Sequence, residues 1–238
     1  MRKLLFLAFL TLASAARAET VSFTTESYPP FNYSDGDVLK GTHIEQVQMM
    51  MAAAGIDYSI TILPWARAYM LAQTTPMTCV IGTAHKPDRD KLFKWVEPLL
   101  MDRSVLVTHE GSGIHAASLD EARKYTVGTW RSDYTQTILH DLGFPKIDVS
   151  TEFRAALRKL MNDRIDLIPI SAFSIGKLRR EGNPVQEVMS LATQPMGIAC
   201  NKDFPDDLLK KMQAALDKLI SDGTQKALYE KYGVSAQQ

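Results

Sequence analysis

VSFTTESYPPFNYSDGDVLKGTHIEQVQMMMAAAGIDYSITILPWARAYMLAQTTPMTCVI, residues 21–81, decides the fold. Residues 21–25 alternate as a strand and end at Glu26. Tyr28-Pro29-Pro30-Phe31 leaves regular structure, because adjacent prolines fix φ and donate no backbone hydrogen bonds. Ser34-Asp35-Gly36-Asp37 reads as a turn. Thr42 and Glu45 have capping-box spacing; Ile44, Val47, Met51 and Ala54 then share one helical face up to Gly55. A second strand covers 58–63 and breaks at Pro64-Trp65, a short helix covers 66–73, and a third strand covers 78–81. Strand, helix, strand, helix, strand is the repeat that builds a parallel sheet covered by helices.

Towards the C-terminus, a strand at 103–108 and the loop Glu110-Gly111-Ser112-Gly113 separate this unit from a second one. Ser118 and Glu121 form another capping box. Strands at 125–128, 147–149 and 166–170 alternate with helices at 132–142, 151–161 and 172–181, with Thr151 as an N-cap. The tail is one strand, 196–200, and two helices, 206–220 and 225–232. Those three elements cannot bury their own apolar faces, so they must dock on a unit already built.

Towards the N-terminus, Arg2 and Lys3 precede an apolar run at 4–12, and Ala16-Arg17-Ala18 follows. This is the pattern of a secretory signal peptide, residues 1–18, cleaved after Ala18. The run is about half of the ~20 residues a membrane span needs, which disfavours an anchor. Losing Arg2, Lys3 and Arg17 leaves 24 basic against 27 acidic residues. That balance, with no basic run, excludes nucleic acid as a partner. Cys79 and Cys200 each sit in a short strand-like run. They read either as two small buried side chains or as a bridge between neighbouring strands.

In open α/β sheets a ligand binds beyond the carboxyl ends of the strands. Glu26, Tyr28 and Phe31 follow the first strand, Trp65 the second, and Thr83, His85 and Arg89 the third. In the second unit the corresponding residues are Thr129, Trp130, Arg131, Ser132 and, after the last strand, Ser171. Hydroxyls, charges and aromatic faces together suit a small polar guest with an apolar part. Residues 129–133 turn a strand into a helix, where backbone N–H groups favour an anion. Arg89 and Arg131 each offer a fork of donors that matches a carboxylate. A serine-nucleophile elbow, a phosphate-cradling glycine loop and a paired-histidine metal motif are all lacking, so neither catalytic residues, a cofactor nor a metal is expected.

In this order and spacing, Tyr28-Pro29-Pro30-Phe31, Gly41, Gly82 through Arg89, Phe93-Lys94-Trp95, Val127-Gly128-Thr129, Asp166, Met196-Gly197-Ile198-Ala199 and Lys231-Tyr232-Gly233 make a pattern. It resembles the bacterial extracellular solute-binding proteins of the polar amino-acid type, which serve ATP-driven importers. The resemblance implies an α/β, two-lobed periplasmic binding protein fold with two hinge crossings. Lobe one would comprise 19–101 and 196–238, and lobe two 102–195. It further implies a periplasmic monomer that captures an amino acid or related carboxylate and meets a membrane permease transiently. Arg89 would hold the carboxylate, helped by residues 129–132, with Tyr28 and Phe31 packed on the guest. Two departures stand out. Ser171 occupies the place of the acid that usually holds the amino group, behind Pro169, and Ala84 replaces a hydroxyl residue. Glu26 is then the alternative source of negative charge. Pro64-Trp65-Ala66-Arg67 marks a less characterised branch. Two other functions stay beside the transport reading: a dehydratase-type enzyme with Glu26 or His85 as general acid, and a module feeding a sensor.

Overall fold

The computed structural model of the chain describes residues 20–234, so the segment expected to be a signal peptide lies outside the described residues. Ten strands and eight α-helices are found among them. The first half holds β1 (Val21–Thr25), β2 (Tyr33–Asp35), β3 (Val38–Lys40), α1 (Thr42–Ala54), β4 (Tyr58–Ile62), α2 (Trp65–Thr74), β5 (Thr78–Ala84) and β6 (Phe93–His109). The second holds α3 (Leu119–Ala122), β7 (Val127–Trp130), α4 (Tyr134–Asp141), β8 (Ile147–Ser150), α5 (Phe153–Met161), β9 (Ile168–Ser171), α6 (Ile175–Arg180) and β10 (Val185–Asn201). The tail helices are α7 (Asp206–Ser221) and α8 (Thr224–Tyr232).

β1 lies between β4 and β5, parallel to both, and the sheet continues through β10 and β6 to β9. Four of the five β1 residues are buried, as a strand covered on both faces requires. β7 and β8 form a parallel pair that touches the β9 side through a bridge from Val127 to Leu167. β6 and β10 are 17 residues each, on the order of 55 Å long. They pair antiparallel along their length, with two register shifts that add residues on β10 and one, between Leu100 and Val96, that adds them on β6. The 196–200 end of β10 pairs with β5 and the 104–107 stretch of β6 pairs with β9, so the two long strands exchange neighbours along their length. The exchange falls where Leu100, Met101 and Asp102 face Met196, Pro195 and Gln194. The sequence reading found only 103–108 and 196–200 of these strands. Prolines, bulges and polar residues around the exchange erase the period-2 pattern that marks a strand.

Several boundaries differ from expectation for local reasons. α1 is not capped by Thr42 and Glu45. Its N-cap is Gly41, and the Pro30 and Phe31 carbonyls accept from the N–H groups of Thr42 and His43 at 3.1 and 3.0 Å. The proline turn therefore caps the helix, and Glu45 instead accepts from Lys231 and Tyr232 of α8. Of the Ser118–Glu121 box one half is formed, Glu121 N–H donating to Ser118 Oγ, while Glu121 Oε2 accepts from Ala117 N–H rather than from Ser118 N–H. α5 begins after Glu152 rather than Thr151. The helix expected at 172–181 is a 3-10 turn, Ala172–Ser174, followed by α6.

One core packs α1 and α7 on β1, β5 and β10, including Phe23, Met50, Met51 and Leu216. The tail thus docks on the first unit. A second core forms around Leu106, Val127, Leu139 and Leu167. A third cluster runs across the gap and joins Trp65, Ala68 and Phe93 to Trp130, Phe153 and Ile168. Cys79 and Cys200, directly opposed on β5 and β10, form a disulfide.

Candidate functional site

The loops that leave β1 and β7 and the last residues of β5 and β9 converge on one cavity between the two lobes, with a free volume of about 40 Å³. By volume this is room for roughly three waters. The β1 loop contributes Glu26, Tyr28 and Phe31. The β7–α4 turn contributes Trp130, Asp133 and Tyr134, and β9 contributes Ser171. Trp65 opens α2, and Asp102 sits at the strand exchange.

Three hydrogen bonds cross the gap. Ser171 N–H donates to Tyr28 Oη at 2.9 Å, Trp65 Nε1–H to the Ser132 carbonyl at 2.9 Å, and Trp130 Nε1–H to Glu26 Oε1 at 3.3 Å. The Tyr28 ring meets the edge of Phe153 with centroids 4.6 Å apart and lies 6.1 Å from Trp130. Aromatic pairs at such spacing add attraction beyond the area they bury. The lobes therefore meet in a closed arrangement made from the chain's own atoms.

Three carboxyl groups line the cavity. Burial drives the Glu26 carboxyl well above the usual range, and the nearby Asp133 adds to the effect. Burial also raises Asp133, although hydrogen bonds from Thr135 and the charge of Arg89 pull it back. Asp102 is pushed up to about 6 by burial, against hydrogen bonds from Ser171 and Gln194. His43 is buried and held neutral, its pKa lowered to about 3 by desolvation. Its Nδ1 lies 3.2 Å from Asn32 Oδ1, and Asn32 Nδ2 donates to the Glu26 carbonyl at 2.9 Å. Asn32 Oδ1 is therefore an acceptor, which assigns the imidazole proton to Nδ1 and leaves Nε2 with a lone pair.

Of the residues singled out in the sequence, Glu26, Tyr28, Phe31, Trp65, Trp130 and Ser171 come together on the cavity wall. The other six do not line it. Thr83 is buried and donates to the Val80 carbonyl. His85 stacks on Trp95, between Glu97 and Asp90. Arg89 is buried with Nη1 donating to the Ala84 carbonyl at 3.3 Å, and its guanidinium lies 4.9 Å from the Tyr69 ring centre. Thr129 Oγ1 bonds Thr135 Oγ1 at 2.7 Å. Arg131 is exposed, and Ser132 offers only its carbonyl, to Trp65. The helix N-terminus expected to face an anion starts later, because Ser132 adopts φ 63°. Asp133 is its N-cap and accepts from Thr135 N–H at 2.9 Å, so the chain supplies its own anion there.

Asp102, Tyr134, Asn32 and His43 are wall residues without a signal in the sequence pattern, and Asp133 belongs there as more than a helix start. Asp102 and His43 lie inside a strand and a helix, not after one, so the strand-end rule passes over them. Among the described residues no group of three or more His, Cys, Asp or Glu is placed to hold a metal ion.

Two α/β lobes joined by paired crossing strands, with an aromatic-walled cavity that three carboxyl groups line at their junction, define a solute-binding protein of the two-lobed type. Residues 20–235 match the bacterial extracellular solute-binding proteins, family 3, and the chain belongs to that family. It is 22% identical over 211 residues to the L-cystine-binding protein TcyJ of Escherichia coli (strain K12), covering 87% of this chain and 79% of that one. It is 24% identical over 247 residues to the putative ABC transporter arginine-binding protein 2 of the same organism, covering 98% and 99%. A histidine kinase sensor domain with similarity to periplasmic binding proteins shares the fold. Its TM-score is 0.82 at 18% identity, over 91% of this chain and 96% of that one.

Proposed function

We propose that this chain is a periplasmic receptor that closes its lobes over a small solute of the amino-acid class and delivers it to the permease of an ATP-driven importer. The observation that carries the reading is the set of three hydrogen bonds crossing the gap around an aromatic-walled cavity that carries three carboxyl groups. Closure selects the bound state because only then do both lobes touch the guest. The lobes are 19–101 with 196–238, and 102–195, hinged at the exchange of Asp102 and Gln194. Residues 1–18 direct export and are removed after Ala18. The receptor works as a monomer.

In this reading Tyr28, Phe31, Trp65 and Trp130 clasp the guest, with Glu26 and Ser171 as polar contacts. Asp102, Asp133 and Tyr134 are added to that set. Arg89 acts from behind the wall, through the charge it places near Asp133. The chain binds without turnover. A dehydratase-type activity draws support from Glu26, whose raised pKa would suit a general acid. Turnover of prephenate-like acids would establish that alternative.

A thermal-shift screen against amino acids, amines and small organic acids tests the proposal. A ligand that binds only the folded state raises the melting temperature, by about 3 kcal/mol of added stability at a hundredfold excess over Kd. If none of the three compound classes moves it, the receptor reading fails.

A further inference from the structure

Charge on the cavity wall has one sign. Glu26, Asp102 and Asp133 line it, and neither lysine nor arginine does. Glu26 and Asp133 come from different lobes, and their carboxyls feel one another. The cation that would receive a guest's carboxylate, Arg89, is turned onto Tyr69 and the Ala84 carbonyl. At the start of α4 the Thr135 N–H is taken by the Asp133 carboxyl and the Gln136 N–H by the Asp133 carbonyl. A carboxylate placed here would meet three carboxyl groups, whose ionisation burial already opposes, and no cationic partner.

An independent observation points the same way. His43 is 2% exposed and lines the cavity, and its Nε2 is a buried polar atom with no hydrogen-bond partner. The Asn32 contact makes that nitrogen an acceptor. A buried acceptor left unpaired is costly, and a donor from the guest satisfies it. The hydrogen bonds that Glu26 and Asp133 accept from side chains and Thr135 N–H fall on one oxygen each, Oε1 and Oδ1. The wall thus presents acceptors in excess among the aromatic rings of Tyr28, Trp65 and Trp130, and the face of such a ring attracts a cation. The carboxyls are not grouped as ligands for one metal ion. An organic cation bearing several N–H donors meets every one of these conditions.

We infer that the cavity grips its guest through a cationic nitrogen facing Glu26 and Asp133, and that a carboxylate on the guest is dispensable, so that simple amines are ligands. The inference rests on the receptor reading and narrows its substrate class.

Calorimetry with matched pairs differing only by the carboxylate tests it: agmatine against arginine, and cadaverine against lysine. At least one amine is expected to bind about tenfold or more tighter than its amino acid. Glu26→Gln, which keeps the side chain's shape, should weaken that amine by about thirtyfold or more, since it removes one member of a buried charge pair. The variant's melting temperature reports that it is folded. Amino acids that bind while their amines do not would overturn the inference and leave the receptor reading standing. Amine binding unchanged by Glu26→Gln would overturn the assignment of the nitrogen to Glu26. Silence from every amine, amino acid and organic acid would overturn both readings.

Discussion

Asp102 shows what a single buried carboxyl does to this protein. Its folded pKa is about 6, raised by burial, against about 4 for an exposed aspartate. The stability it contributes is therefore present in full below pH 4 and is lost as pH rises through 6. The loss amounts to about 3 kcal/mol at most. Glu26 and Asp133 have the same sign. His43 has the opposite one, since its folded pKa is lowered and its contribution is lost as the solution is acidified. Asp102→Asn removes one titration and leaves the others. Relative to the parent, the variant should gain stability between pH 5 and pH 7.5. Melting curves with an equal offset at both pH values would show that Asp102 does not titrate in this window. At this scale the sequence was a partial guide. Tyr28 and Trp130 were legible because they follow strands. His43 was not, because it reaches the wall only when its helix is clamped by the proline turn.

That clamp belongs to the scale of elements. The Phe31 carbonyl approaches α1 so closely that a Cβ on Gly41, at φ 121°, would lie 2.1 Å from the Phe31 oxygen. Both partners are backbone, so neither can swing aside. Gly41→Ala should destabilise the protein by about 3 kcal/mol or more, through strain and loss of the cap. Urea denaturation measures this, and a cost below ~1 kcal/mol would mean that the turn and helix are not locked together. The alternation of strands and helices was legible because each element is short and has its own stop signal. β6 and β10 were not, because each serves two lobes. Asp102, Pro195 and Gln194 are chosen for the crossing rather than for a uniform strand face.

Across the whole molecule, closure depends on a few contacts between the lobes. Tyr28 Oη is the acceptor for Ser171 N–H, and without it that N–H is unpaired in the closed form. Tyr28→Phe keeps the ring against Phe153 but should disfavour closure by about 1–3 kcal/mol. Small-angle scattering should then report a larger radius of gyration for the variant than for the parent in the absence of ligand. Equal radii would mean that this bond does not govern closure. The two-lobed plan was legible through the repeat of the α/β unit. The closed arrangement was not, because it depends on contacts between residues more than a hundred positions apart, such as Tyr28 with Ser171.

The seam of Tyr28, Trp130 and Phe153 also governs time. A cavity with room for only a few waters admits no guest until the seam parts, so arrival is limited by how often the protein opens rather than by diffusion. Once the rings have closed again, the same event must recur before the guest departs, and its dwell time is set by breathing of the lobes. A permease that pries the lobes apart would shorten that dwell and direct the release.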